Sequence, residues 1–311
     1  MRLPFRHAAS SVCAALLALF VAPAAAAALD VTTSFSILGD FVRQVGGERV
    51  AVRVLVGPNE DAHAFQPRPS DARALGNSKL VVANGLGFDD WIVRLARSAG
   101  FRGTLVVASA GVRTLKMTQV GDRDGKHEGD HDHGGGIDPH AWQDVVNAQR
   151  YVANIAEALV AADPEGAPLY RANAERYTGK LQALDAEIRA ALTRLPPAQR
   201  KVVSSHDAFG YFARAYDIRF LAPVGVSNNA EPTAQGVAQL IRQIKAERAP
   251  AVFIENVADP RLIERIRSES GARVGGTLYS DALSAADGAA PDYLAMMRHN
   301  LQRLVEALAA R

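Results

Sequence analysis

The chain carries eight histidines and a single cysteine, so its chemistry must come from imidazoles and carboxylates. Three histidines stand in short loops between structured stretches. His63 lies in the turn that follows the apolar run Val50–Val56. His140 sits in Asp138-Pro139-His140-Ala141-Trp142, immediately before a helical stretch, and His206 follows Val202-Val203-Ser204-Ser205. Open α/β sheets bind ligands outside the carboxyl ends of their strands, so these loops can converge on one crevice. Three imidazoles in one cleft suit a borderline-soft divalent cation. A closed site needs a fourth ligand. Asp281, in Leu278-Tyr279-Ser280-Asp281, is the first choice, Glu255 in Phe253-Ile254-Glu255 competes with it, and Glu60 beside His63 is weaker.

Each of these histidines, taken alone, reads equally as a satisfied polar group in a loop. An enzyme is the other use of such residues: a three-histidine zinc hydrolase with water as fourth ligand and Asp281 or Glu255 as general base. The chain has neither an HExxH motif nor a Gly-x-Ser-x-Gly elbow, and the expectation is a binding protein and not an enzyme. Without an open position on the metal, no water remains to be activated. Neutral histidines are needed, so affinity should fall as pH drops below about 6.5.

Of the remaining histidines, His299 falls on a polar face of the C-terminal helix and is expected to be solvated, and His7 belongs to the leader. His127, His131 and His133 fall within Gly121–Gly136, GDRDGKHEGDHDHGGG. That stretch has no apolar residue and no periodicity, and reads as a flexible surface loop. It serves either as a secondary metal-capture loop, raising the local metal concentration, or as a solvated charged segment.

The elements that must position the central residues alternate. Leu29–Thr32, Val50–Val56, Leu80–Ala83 and Thr104–Val107 read as buried strands, with Ile37–Val45, Ser70–Leu75 and Trp91–Ser98 as helices between them. In the second half Lys201–Ser204, Arg219–Pro223, Ala251–Ile254 and Arg273–Leu278 read as strands, and Thr233–Arg248 and Asp259–Ser270 as helices. Such alternation implies parallel sheets covered on both faces. Between the halves Tyr170, Tyr177, Leu181, Leu184, Ile188, Leu192 and Leu195 keep a 3–4 spacing up to Pro196-Pro197. That is one helix spanning roughly 40 Å, long enough to run the height of two lobes and stiff enough to restrict their closure.

The expected boundaries are a signal peptide at 1–28, an N-terminal α/β lobe at 29–165 containing the loop 121–136, a linking helix at 166–197 and a C-terminal α/β lobe at 198–311. The leader has Arg2 and Arg6 at its start, an apolar run from Cys13 to Val21 and an alanine-rich end, which is the build of a secretory signal. Its cleavage removes the only cysteine, and with it any thiol chemistry. It also removes two of the 35 basic residues set against 33 acids, leaving the charges balanced. No basic field is present to hold nucleic acid. The mature chain is expected to be soluble and exported.

These motifs together resemble the metal-binding substrate-binding proteins of ABC importers, the group typified by TroA and ZnuA. The matching pieces are Asp61-Ala62-His63, Arg68-Pro69-Ser70-Asp71, Asn84-Gly85 leading to Trp91, and Asp138-Pro139-His140. They continue with Ser205-His206-Asp207-Ala208-Phe209-Gly210, Glu231-Pro232-Thr233, Phe253-Ile254-Glu255 and Leu278-Tyr279-Ser280-Asp281, in the same order along the whole mature chain. The resemblance implies an α/β protein of two lobes, each a mostly parallel sheet flanked by helices. One long rigid helix joins them, and the metal lies between the lobes. It places the ligands on His63, His140, His206 and Asp281. At the third position the family's manganese-binding members resemble one another in carrying glutamate and its zinc-binding members in carrying histidine. His206 therefore points to Zn(II), with manganese the alternative. The loop at 121–136 is similar in placement to the family's His-rich loop, though short. The resemblance also implies a periplasmic monomer that delivers its metal to an ABC permease in the inner membrane. A periplasmic zinc metallochaperone is a further partner it suggests.

Overall fold

In the computed structural model, which describes residues 28–117, 136–222, 234–247 and 251–309, the apolar runs assemble into two four-stranded parallel sheets. The first half runs β1 (Leu29–Phe35), α1 (Ser36–Gly46), β2 (Val50–Val56), α2 (Pro69–Gly76), β3 (Leu80–Ala83), α3 (Asp90–Ser98) and β4 (Thr104–Val107). Two helices follow, α4 (Val145–Ala162) and α5 (Ala167–Thr193). The second half runs β5 (Lys201–Val203), α6 (Gly210–Tyr216), β6 (Arg219–Leu221), α7 (Ala234–Glu247), β7 (Ala251–Glu255), α8 (Pro260–Ser270), β8 (Arg273–Leu278) and α9 (Tyr293–Ala309). The sheet orders are β2-β1-β3-β4 and β6-β5-β7-β8, the same winding twice. Each order reverses direction beside its first strand, which opens a crevice at the carboxyl ends of β1 and β3 and another at those of β5 and β7.

The strands at Val50–Val56, Leu80–Ala83, Thr104–Val107 and Arg273–Leu278 have the bounds predicted for them. β1 runs on past Thr32 to Phe35. Its polar residues Thr32, Thr33 and Ser34 are fully buried because β1 is an inner strand with β2 and β3 on either side. The hydroxyl of Thr32 meets that of Ser78 at 2.6 Å, which makes its burial tolerable. β7 likewise takes in Glu255 as its last residue, and β6 ends at Leu221, short of the predicted Pro223.

The joining helix α5 has 27 residues, about 40 Å at 1.5 Å per residue. All seven residues predicted for its apolar face, Tyr170 to Leu195, are buried. A 3-10 turn at Pro164–Gly166 leads into it from α4. α5 and α9 belong to one continuous core with α1, α4 and α6 and one face of the second sheet. A separate cluster, including Val203, Ile241, Val252 and Ile263, packs α7 and α8 on the other face of that sheet. A core continuous from lobe to lobe resists large hinge motion, since opening it would expose apolar surface.

α4 starts where the Asp144 carboxylate accepts the backbone N–H of Val146 at 2.9 Å, one of the donors a helix leaves unsatisfied at its start. Asp144→Ala should cost about 1 kcal/mol, measured as a lower denaturation midpoint of the metal-free protein. Among the described residues, no helix is long and apolar enough to cross a membrane. Residues 1–27, which hold most of the expected leader, lie outside the described residues. So do 118–135, with His127, His131 and His133.

Candidate metal centre

His63, His140, His206 and Asp281 converge: one ligating atom from each lies within 4.8 Å of every other. The Nε2 atoms of His63 and His140 are 3.3 Å apart. Asp281 Oδ2 lies 3.5 Å from Nε2 of His63 and 3.1 Å from Nε2 of His206, and Oδ1 lies 3.5 Å from Nε2 of His140. A tetrahedron with metal–ligand bonds of 2.0–2.2 Å has edges of about 3.4 Å, close to these four separations. His140, His206 and Asp281 are fully buried, and the His63 side chain is 7% exposed.

Each ligand is aimed by its own piece of fold. The His63 backbone N–H is held by Asp61 Oδ1 at 2.8 Å, and its ring stands edge-on to Phe88, with centroids 4.6 Å apart. Ala62 O accepts the indole N–H of Trp91 at 3.2 Å, which fixes the turn to α3. His140 is braced by Asp138, whose Oδ1 accepts its backbone N–H and lies 2.9 Å from its Nδ1. Asn84 donates to Pro139 O at 3.0 Å, so the loop after β3 carries the loop of His140. Gly210, at the start of α6, lets that helix approach Asp138: a Cβ there would lie 2.5 Å from Asp138 Oδ2.

His206 is held from the second sheet. β5 and β7 are neighbours, so the loop after β5 lies over the end of β7. There Glu255 Oε1 accepts the backbone N–H groups of Ser205 and His206 at 2.7 and 2.9 Å. Glu255 Oε2 faces His206 Nδ1 at 2.7 Å, on the side of the ring away from Asp281. Glu255 thus sits behind His206 and outside the converging set. Glu60 is exposed and turns back to accept the Gly57 N–H at 2.7 Å.

Asp281 follows β8 in sequence, yet the first lobe holds it. Ser280 O accepts the Trp142 indole N–H at 2.9 Å and the Gln143 amide at 2.8 Å. Two residues on, Leu283 N–H donates to Ser36 Oγ and Leu283 O accepts the Asn59 N–H, both at 2.9 Å. Spacing along the chain gives no sign of these contacts.

The electrostatics call for a cation. Both ring nitrogens of His206, Glu255 Oε2 and both carboxylate oxygens of Asp281 are buried and make no well-directed hydrogen bond among the described residues, meeting one another only as ion pairs at 2.7 and 3.1 Å, a costly state for polar atoms unless something positive sits among them. Burial alone would lower the pKa of His206, but Glu255 and Asp281 on either side of it raise it well above the ordinary value. Burial alone would raise that of Asp281, but His206 and His140 hold it well below the usual carboxylate range. In the metal-free protein a proton therefore takes the place of positive charge in the cluster, and a divalent ion must displace it. His299, expected in solvent, instead lies half-buried with Nε2 3.0 Å from Thr277 O and its ring against Tyr279. It is held on β8, away from the cluster.

The chain matches the family ZnuA, described as zinc-uptake complex component A, periplasmic, over residues 31–307. It is 33% identical over 280 residues to the manganese-binding lipoprotein MntA of Halalkalibacterium halodurans, covering 90% of this chain and 88% of that protein. Among solved structures it is similar to the periplasmic zinc-binding protein TroA of Treponema pallidum, at 28% identity and a TM-score of 0.81, covering 90% of this chain and 99% of that one. A manganese-bound periplasmic metal-binding protein of Candidatus Liberibacter asiaticus aligns with the same coverage at 26% identity and a TM-score of 0.78. Two parallel sheets, a long joining helix and, between the sheets, a buried cluster of three histidines and one aspartate are what this match carries. The chain belongs to the ZnuA/TroA-like family of periplasmic metal-binding components of ABC importers, and is a solute-binding transport protein and not an enzyme.

Proposed function

We propose that His63, His140, His206 and Asp281 ligate one first-row divalent metal ion, which the protein carries to an inner-membrane permease. The single observation that carries this is the buried convergence of three imidazoles and one carboxylate, in which His206 Nε2 and both Asp281 oxygens have no other partner among the described residues. Four protein ligands and a stiff joining helix suit capture and release without chemistry.

Manganese is the cargo that the comparisons support better: the relative MntA and the Liberibacter structure are both named for it. The inward placement of both Asp281 oxygens fits that reading, since each lies within reach of a different histidine and the pair can supply two oxygen donors. One observation favours zinc as a second reading. The third ligand is His206, giving three nitrogens, a donor set that suits zinc, and the similar TroA is named for zinc.

Competition in a test tube is biased, because most N/O sites hold zinc above manganese whatever their task. The deciding experiment is therefore metal content and rescue in cells lacking the protein. Cell manganese should fall, and added manganese should restore growth in chelator. Rescue by zinc alone would transfer the cargo to the second reading. No metal bound to the purified protein, and no metal-dependent defect, would overturn both. His127, His131 and His133 form a capture loop in this reading, serving a monomer that a periplasmic metallochaperone can load.

A further inference from the structure

We propose that Glu255 is a positioning residue for metal capture: it holds a hydrogen on Nδ1 of His206, so that the nitrogen left to give up its proton to the ion is Nε2. This rests on the reading of His206 as a ligand. The arrangement is over-determined. Glu255 Oε1 is committed to two backbone N–H groups, those of Ser205 and His206, at 2.7 and 2.9 Å. Ser205 Oγ returns a contact to the Glu255 N–H at 3.2 Å. The carboxylate cannot rotate without breaking these bonds, so its other oxygen stays 2.7 Å from His206 Nδ1. The contact is an ion pair and not a well-directed hydrogen bond, but a carboxylate only accepts, so its charge at this distance favours the hydrogen on the ring nitrogen that faces it. The opposite nitrogen then faces Asp281 and the other two imidazoles. Asp138 stands to Nδ1 of His140 in the same way, at 2.9 Å, which repeats the device on the other side of the cleft. Such outer partners orient imidazole ligands and raise their basicity.

Glu255→Gln tests this with almost no change of shape. The two backbone N–H groups require an oxygen, so the amide carbonyl must take the place of Oε1. The amide NH2 then faces Nδ1, and since it can only donate, it forces the hydrogen onto Nε2, the nitrogen meant for the metal. The expected result is a 10- to 100-fold loss of affinity for zinc or manganese, read by chelator competition. The unfolding midpoint of the metal-free protein should stay close to that of the parent. Nitrogen-15 NMR of the metal-free protein, at a pH high enough to leave His206 neutral, should show Nδ1 protonated and Nε2 bare in the parent and the reverse in the variant.

An affinity within threefold of the parent overturns the proposal. So does a loss of affinity with Nδ1 still protonated, which would make Glu255 a purely structural brace. If the variant does not fold, the parent loaded with cadmium-113 decides. Coupling of the metal to Nε2 of His206 with Nδ1–H retained supports the assignment, whereas coupling to Nδ1, or ligation by Glu255 itself, refutes it. Failure of the transport reading looks different: the parent itself would then hold no metal.

Discussion

His206→Ala is expected to weaken metal binding on the order of a hundred- to a thousandfold, while His131→Ala changes it by less than threefold. Four-ligand zinc sites bind with about 10–16 kcal/mol in all, so one ligand of four stands for about 2.5–4 kcal/mol, and each 1.4 kcal/mol is tenfold in affinity. The position of His206 sharpens the case. His63 and His140 come from the first lobe, and the segment of Asp281 is hydrogen-bonded to that lobe through Trp142, Gln143, Ser36 and Asn59. His206 alone is delivered by the loop over β5 and β7. Its loss leaves a three-ligand half-site that still holds metal weakly, so the variant should bind with fast release and no selectivity. Titration against a chromophoric chelator, with dissociation followed after addition of excess chelator, measures both. Equal losses in His206→Ala and His131→Ala would sink the ligand assignment and move tight binding to the loop.

The same residues mark what a linear reading can and cannot see. Strands such as Val50–Val56 and Leu80–Ala83 were legible because a parallel strand buried on both faces is a continuous apolar run with turn residues at each end. The run of contacts from Tyr170 to Leu195 was legible because helical periodicity is local. β1 runs past the predicted Thr32 because an inner strand can bury polar residues, here with the Thr32 hydroxyl paired to that of Ser78. The three histidines stand out from their loops, but those loops leave Asp281, Glu255 and Glu60 open for the fourth position, and it is the family resemblance that chooses Asp281. The supports of these residues could not be named. Glu255 differs from a ligand only in which side of an imidazole it faces, and that depends on the pairing of β5 with β7. The tie between Ser280 and Trp142 joins residues 138 positions apart, and His299 binds Thr277 O across the β8–α9 contact. Such side-chain contacts are set by tertiary packing, and no periodicity announces them.

Asp281→Ala is expected to produce the largest loss, a thousandfold or more in affinity, with the fold intact. Asp281 is the one formal charge in the converging set, and it brings a divalent cation in a buried site from +2 to +1. Removing it leaves the whole ionic charge facing three neutral rings in a medium that solvates charge poorly. The fold should survive because the first lobe grips this segment by its main chain: the bonds from Trp142 and Gln143 end on Ser280 O, and those with Ser36 and Asn59 end on Leu283. None involves the carboxylate. The metal-free variant should stay folded but unfold at a lower midpoint, because the attraction of the Asp281 carboxylate to His206 and His140, which holds its pKa below the usual range, stabilises the fold near neutral pH and is lost with it. Asp281→Asn separates charge from donor. An amide oxygen still ligates but brings no charge, so affinity between that of the parent and that of Asp281→Ala is expected. Parent-like affinity in Asp281→Ala would hand the fourth position to Glu255, Glu60 or water. Of these, Glu255 would have to abandon two backbone N–H groups to reach the ion and Glu60 would have to leave the Gly57 N–H, whereas Asp281 already points both oxygens at the three imidazoles and has no other partner among the described residues to give up.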